Sequence, residues 1–341
     1  MGCLCSSVRD KFDLHDPVNI GDAKVGDFLR SKEVATARWP FKNIVIEGGS
    51  SNGTVTLGAY KILAETKILD SLTGFAGSSS GSIFAAFAAV RAPPNFIESK
   101  FAELNMESFK DDSFGIFRDV ARLLDGYGFY KGDVMEEWVE SVLYEVTDLK
   151  RITFEQVYNM YGSDLRITRV NLSKLRVEYM SRITTPDKPV SQAVRESASI
   201  PIVFKAVREG KDIIVDGAFG DPYPIDVFDL KSKPGTYNKE TFGIKIMSKK
   251  LEDRDDEIRD ELGYEITSLG GFVEAVLTFA TMSIERAKVR RGYWERTISL
   301  DSPGRSIDNF DVSNKEKIKE IRTGMTNTVM ALAKFLDVGH F

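Results

Sequence analysis

Two glycine-rich turns, each between a short apolar run and a helical pattern, constrain this chain most. Asn43 to Glu47 is centred on Ile44-Val45-Ile46. A β-branched run of this kind suits a parallel strand buried on both faces. Gly48-Gly49-Ser50-Ser51-Asn52-Gly53 follows, then a helical pattern with Leu57, Tyr60, Leu63 and Ala64 on one face. Leu72 to Ala76 reads as a second buried strand. It leads through Gly77-Ser78-Ser79-Ser80-Gly81 into a helix over Ser80 to Val90, where Ile83, Phe87 and Val90 recur at helical spacing. Strand, glycine loop, helix and strand make a βαβ unit. Both turns then lie at one carboxyl edge, where open α/β sheets hold their ligands. The chain is predicted to be α/β, with a mostly parallel central sheet flanked by helices.

The second turn is a G-x-S-x-G pattern with Ser79 at its centre. A sharp strand-to-helix turn lifts a serine hydroxyl above the sheet and leaves the Ser80 N–H close by at a helix N-terminus. A plain Gly/Ser-rich loop before a close-packed helix has the same composition. The first turn fits a phosphate loop poorly, because Thr54-Val55 stand where Lys and Ser/Thr are needed, and no G-x-G-x-x-G is present. It fits an oxyanion hole better: consecutive N–H groups in a glycine turn can point at a developing O⁻ near Ser79. A tight turn without a ligand is the plainer alternative. Asp216 follows the buried run Ile213-Ile214-Val215. Partial burial would raise its pKa and let it take the Ser79 proton. Asp-Gly is also a common turn dipeptide, and the residues alone do not choose Asp216 over Asp212 or Asp221.

Scarcity narrows the chemistry. The only cysteines are Cys3 and Cys5, so neither a disulfide framework nor a structural zinc site is expected. The only histidines are His15 and His340. A serine hydrolase here must borrow a base from near one end or work without histidine. The net charge of −5 gives no global electrostatic case for nucleic acid or an anionic membrane. No apolar stretch approaches a membrane span. With 341 residues the chain can bury a large core in one big α/β domain or two smaller ones.

The rest of the chain reads as follows. Phe96 to about Tyr161 is helical, with one stripe at Phe117, Val120, Ala121 and Leu124. A second stripe at Met135, Trp138, Val139, Val142 and Leu143 is opened by an Asp133/Glu136 capping-box-like pair. Thr153 and Gln156 start a shorter helix, and Leu165–Asn171 with Arg176–Ser181 form a hairpin. Val190 to Ser199 is a short helix ended by Ile200-Pro201. Phe242 to Ser248 and Thr297 to Leu300 are strands, and Ser313 with Glu316 caps a final helix. The charged stretch Lys249 to Glu261 is a solvated helix or loop. Leu269 to Ala280 carries an apolar face that suits the core, and Arg286, Lys288, Arg290 and Arg291 suit a helix C-terminus or lipid headgroups.

Four features in order resemble the patatin-like phospholipase family. They are the glycine loop after the first strand, the G-x-S-x-G after the second, Arg195-Glu-Ser-Ala-Ser-Ile-Pro-Ile-Val-Phe204, and Asp-Gly after a late strand. The likeness covers Ile44 to about Tyr223 and is looser beyond. It implies a three-layer fold and a Ser–Asp dyad without histidine. Ser79 is similar to the family's nucleophile, Asp216 to its base, and Gly48, Gly49 and Ser50 to its oxyanion loop. It further implies an acyl-enzyme formed from a phospholipid or neutral-lipid ester, with no cofactor and no metal in the catalytic step. Three positions depart from the pattern: Ser50 for a third glycine, Asn52 for an Arg or Lys, and Ala218 for a glycine.

Met1-Gly2-Cys3-Leu4-Cys5-Ser6 fits a myristoylation pattern and is similar to the doubly acylated starts of Src-type kinases. One acyl chain gives only marginal membrane binding, so palmitate on Cys3 or Cys5 is the expected second signal. The expectation is a peripheral, lipid-anchored protein on the cytoplasmic face of a eukaryotic membrane, native or host. The layout expected is a lipidated lead-in over 1–40, a catalytic domain over 41–305 with a helical insertion at about 95–161, and a C-terminal helical segment over 306–341 packed on it. The function expected is that of a phospholipase A-like lipid acyl hydrolase, with membrane phospholipid or neutral lipid as its partner, no nucleic acid, and room for a protein activator. Acyl transfer by the same dyad is a variant. A non-catalytic lipid-binding scaffold is the reading from another class, favoured by Ser50 and Asn52 and opposed by Ser79 and Asp216.

Overall fold

The computed structural model describes residues 7–12, 21–111, 126–229, 236–248, 275–276, 279–280, 283–284, 293–306 and 308–338. Gly2, Cys3, Cys5, His15, His340, the Phe117–Leu124 stripe, Lys249–Glu261 and Arg286–Arg291 lie outside the described residues. So do Leu269, Phe272, Val273 and Leu277 of the apolar face.

Among the described residues the strands are β1 (Asn43–Ile46), β2 (Gly74–Gly77), β3 (Gly128–Tyr130), β4 (Asp164–Asn171), β5 (Arg176–Ser181), β6 (Ile202–Phe204), β7 (Val207–Glu209), β8 (Asp212–Asp216), β9 (Thr241–Ser248) and β10 (Thr297–Ser302). The main sheet runs β10-β9-β1-β2-β4-β8-β7, with β5 also paired to β4. From β10 to β4 every pairing is parallel. Beyond β4 the sheet turns antiparallel. The β-branched run of β1 sits at the centre of the parallel part, where both faces are covered. Ile44 and Ile46 join the main core, while Val45 points to the opposite face against Tyr223 and Ile225. That alternation is the period of two that a strand imposes.

Helices cover the sheet. Val55–Glu65 follows the first glycine loop, and Ser80–Ala89 follows Ser79. The last helix, Asn314–Val338, lies across Val55–Glu65. The crossing is backbone on backbone: a Cβ on Gly58 would sit 2.0 Å from the Ile321 carbonyl oxygen, and one on Gly324 would sit 1.9 Å from that of Val55. Phe335 of the last helix packs on Phe41, whose ring lies 4.6 Å from that of Phe242 on β9. The last helix is thereby fixed to the sheet as well. Its start is capped as expected, with the Glu316 N–H donating to Ser313 Oγ at 3.3 Å and the Ser313 N–H to Glu316 Oε2 at 2.9 Å.

Two expectations need correction. The run Phe96 to Tyr161 is not helical throughout: β3 interrupts it and pairs in parallel with β6. The helix Asp133–Thr147 has no Asp133/Glu136 capping box, and Gly132 stands at its N-cap. Asp111 serves instead, accepting from the N–H groups of Gly132, Asp133 and Val134 at 2.8, 2.8 and 3.3 Å. A carboxylate at a helix N-terminus satisfies orphan donors and opposes the dipole, and here it comes from a different stretch of chain. The Thr153/Gln156 pair does form a full capping box.

Candidate active site

The register of β1 and β2 builds the site. Ile46 pairs with Gly77, so the residues after each strand leave the sheet side by side. Ser79 takes φ 49° and ψ −129°, a region that a residue with a Cβ occupies only when its surroundings hold it there. The flanking glycines permit the turn by close approach. A Cβ on Gly77 would lie 2.4 Å from the Gly81 carbonyl oxygen, and one on Gly81 would lie 2.3 Å from that of Ile46.

Asp216 reaches the same point from the other direction. Its strand, β8, is antiparallel to β4, and Asp216 pairs with Arg169. The result is a hydrogen bond from the Ser79 hydroxyl to Asp216 Oδ2 at 2.7 Å. Ser79 is 5% exposed and Asp216 1%. The second carboxylate oxygen accepts the Ala218 N–H at 2.7 Å. Burial pushes the Asp216 carboxyl up to about 7, against the opposing pull of the Ser79 and Ala218 donors. The three aspartates left open by the sequence now separate. Asp212 binds Lys174 and Asn171, and Asp221 accepts the Tyr179 hydroxyl at 2.5 Å. Only Asp216 meets Ser79.

Two residues that the sequence did not single out complete the frame. The Ser79 N–H donates to Ser197 Oγ at 2.9 Å. The Asp216 N–H donates to the Ser199 carbonyl at 3.0 Å. The Ser-Ala-Ser stretch therefore holds both members of the pair. The visible signal was a run of small residues, which says that space is tight but not which hydroxyl accepts.

The first glycine loop runs alongside. A Cβ on Gly48 would lie 2.9 Å from Ser79 Cβ. Its N–H, however, donates to the Pro222 carbonyl at 3.1 Å, so Gly48 brings the loop near Ser79 while its own donor is engaged elsewhere. The Gly49 N–H donates to Ser80 Oγ at 2.9 Å. Ser50 adopts φ 49°, the left-handed angle that a glycine takes without a Cβ cost. Asn52 exchanges two hydrogen bonds with the Arg305 backbone. Beside Ser79 an apolar cavity opens, lined by Ile83, Phe84, Phe101, Met106, Phe109 and Trp138 among others. Phe84 and Phe101 are stacked at 5.4 Å, and Trp138 sets its ring edge-to-face against Phe101.

A model of the patatin-like phospholipase family matches residues 44–229, more than half of the chain. The chain belongs to the patatin-like phospholipase family. Two relatives are viral. The uncharacterized protein R571 of Acanthamoeba polyphaga mimivirus is 30% identical over 189 residues, covering 55% of this chain and 61% of that protein. The probable lipid hydrolase 463L of Invertebrate iridescent virus 6 is 25% identical over 192 residues, covering 55% and 63%. The matches thus span less than two thirds of either relative. Among solved structures, VipD from Legionella pneumophila superposes with a TM-score of 0.55 at 15% identity, covering 88% of this chain and 67% of that one. At that identity the likeness concerns the fold, the mixed α/β sheet flanked by helices. The patatin-like match contains Ile44–Ile46 of β1, both glycine turns, the Ser-Ala-Ser stretch and Asp216.

Proposed function

We propose that this patatin-like chain hydrolyses fatty-acyl esters of membrane lipids through a Ser79–Asp216 dyad. The observation that carries the reading is the 2.7 Å hydrogen bond between a strained, nearly buried serine and a buried carboxylate. A carboxyl held near 7 is a competent base at neutral pH, which an exposed aspartate is not. In the proposed first step Asp216 takes the Ser79 proton as Oγ attacks the ester carbonyl, and the lipid alcohol leaves with a proton. Water then adds to the acyl-enzyme, with Asp216 again taking the proton, and the fatty acid is released. Gly49 and Ser50 are the proposed oxyanion donors, with Ser80 Oγ moving off the Gly49 N–H when the oxyanion forms. The apolar cavity beside Ser79 suits an acyl chain.

The name of the viral relative, probable lipid hydrolase, supports the reaction class. The test is fatty-acid release from mixed phospholipid and neutral-lipid vesicles, resolved by mass spectrometry, with Ser79→Ala alongside. Release by the wild type alone is expected. Equal release by Ser79→Ala would sink the proposal. Acylation at Gly2, Cys3 and Cys5, and a place on the cytoplasmic face of a membrane, are part of the same proposal. Incorporation of a myristate analogue that survives Gly2→Ala would remove that part.

A further inference from the structure

The cavity beside Ser79 is polar at one end only. Among the described residues, Ser50, Thr54, Ser79 and Ser80 supply its hydroxyls, and the rest of its lining carries no side-chain hydroxyl, amide or charge. Its depth follows from the helix Ser80–Ala89. Ser79 and Ser80 meet the cavity at the helix start, and Ile83 and Phe84 meet it one turn on. The next pair at helical spacing is Phe87 and Ala88. Neither lines the cavity. Both are buried, and the Phe87 ring packs edge-to-face on Trp138 at 5.8 Å.

Trp138 does line the cavity. It also meets Phe101 and Phe109 edge-to-face at 5.1 and 5.9 Å, and it packs against both the main core and the cluster around Phe204. The space along the helix therefore closes between the levels of Phe84 and Phe87. A helix rises about 1.5 Å per residue, so these levels stand about 8 and 12 Å beyond Ser79. An extended alkyl chain, with bonds near 1.5 Å, advances about 1.25 Å per carbon, and about six to ten carbons span that depth. We infer that Trp138 and Phe101 form an end wall that makes the site selective for esters of medium-chain fatty acids. The inference takes its reaction from the proposed function and its chain length from the cavity.

The walls differ in how they yield. The free space at rest is about 40 Å³, room for about three waters, so an entering chain must displace side chains. Met106 and Met135 line the cavity; they are unbranched and repack readily. The rings are held by one another: Phe84 stacks on Phe101 at 5.4 Å, and Trp138 has three aromatic neighbours. An acyl chain entering from Ser79 pushes the methionines aside and stops at the rings. A longer chain has to unseat Trp138 from the edge-to-face contacts that fix it.

The test reads chain length with turnover and without it. With turnover, kcat/KM is measured on p-nitrophenyl esters of four, eight, twelve and sixteen carbons, with Ser79→Ala as the blank. Activity is expected to peak at eight carbons and to fall about tenfold or more at twelve, the penalty of overfilling a packed site. Trp138→Leu opens the end wall and is expected to raise the twelve-to-eight ratio by about tenfold. Ile83→Phe fills the cavity one turn from Ser79 and is expected to move the peak to four carbons. A variant that merely unfolds in part loses activity at every length and shifts neither ratio. Without turnover, dissociation constants of 1-alkanols for the Ser79→Ala chain are expected to fall about fourfold per methylene, with a break near eight carbons that Trp138→Leu moves to longer chains. A peak at sixteen carbons, or ratios unmoved by both variants, overturns the inference and leaves the proposed hydrolysis standing. Failure to cleave any ester removes the proposed hydrolysis, and the alkanols then decide the end wall alone. It stands if the break moves in Trp138→Leu and falls if affinity climbs unbroken.

Discussion

Asn52 and Arg305 are tied backbone to side chain in both directions. Asn52 Nδ2 donates to the Arg305 carbonyl at 3.0 Å, and the Arg305 N–H donates to Asn52 Oδ1 at 2.9 Å. The Arg305 guanidinium in turn binds Glu320 of the last helix. Asn52 stands where the family pattern has a cation. Here it joins the first glycine loop to the segment after β10.

This decides how the loop responds to repair. Asn52→Arg breaks both hydrogen bonds at a site only 9% exposed and is expected to cost about 1–3 kcal/mol. Ser50→Gly relieves a left-handed angle at φ 49° and is expected to gain ~1 kcal/mol. Denaturant unfolding of the two variants checks the opposite signs.

On the proposed mechanism, the Asp216 carboxyl, raised to about 7, sets the pH profile. The base form is the ionised one, so kcat/KM on a soluble ester should rise about tenfold per pH unit below 7 and level off above it. Asp216→Asn should lose about 10²- to 10⁴-fold in turnover while staying folded. A profile flat from pH 5 to 8 would place the base elsewhere.

The same shift acts on stability. Folding raises this carboxyl from its ordinary 3.8 to about 7, so the folded state holds the proton more tightly than the unfolded one. Its contribution is fully present below about pH 4 and is lost as pH rises toward 7. In the middle of that window the wild type should lose about 1.4 kcal/mol per pH unit relative to Asp216→Asn. Parallel unfolding curves at pH 5, 6 and 7 test this; a constant difference between the proteins refutes it.

Ser197→Ala removes the acceptor of the Ser79 N–H. A buried donor left without a partner costs about 1–3 kcal/mol, and Ser79 loses a restraint on its φ. Fluorophosphonate labelling of Ser79 should slow even at a temperature where circular dichroism shows the fold intact. Threonine, which keeps the hydroxyl, should restore part of the rate.

Gly324→Ala drives a methyl into the Val55 carbonyl oxygen, which an unmoved backbone would place 1.9 Å away. Overpacking of a tight core costs about 1–3 kcal/mol, and here the obstacle is main chain rather than a side chain that can turn. The variant should melt earlier. It should also hydrolyse more slowly, because Val55–Glu65 carries the loop that Gly49 and Ser50 belong to.

Where the sequence was legible, the determinant was local. Ser79 sits between two glycines and between a strand pattern and a helix pattern, and the structure bends there. Thr153 and Gln156 lie within one turn of each other, so their capping box is written in four residues. The Asp133/Glu136 pair has the same spacing, yet Asp111 fills its role from about twenty residues away. No local pattern reports an acceptor that arrives through tertiary structure. The strands β3 and β6 are three residues each, too short for alternation to register, and their partner is non-local. Ser197 was visible only as one small residue among several. That Asp216, and not Asp212 or Asp221, meets Ser79 followed from the antiparallel turn of the sheet at β8, which residue type does not encode.

The pairing of Gly58 with Gly324, and of Asn52 with Arg305, has a consequence for the order of assembly. The second pair spans 253 positions, and such distant contacts close late. While the chain is being made, β1, β2 and the Ser79 turn emerge long before the helix that packs on Val55–Glu65, next to the first glycine loop. A nascent chain released short of residue 314 has the serine without the finished loop. On the proposed activity the chain is latent until the helix Asn314–Val338 has been made, and that helix is the part that arms it.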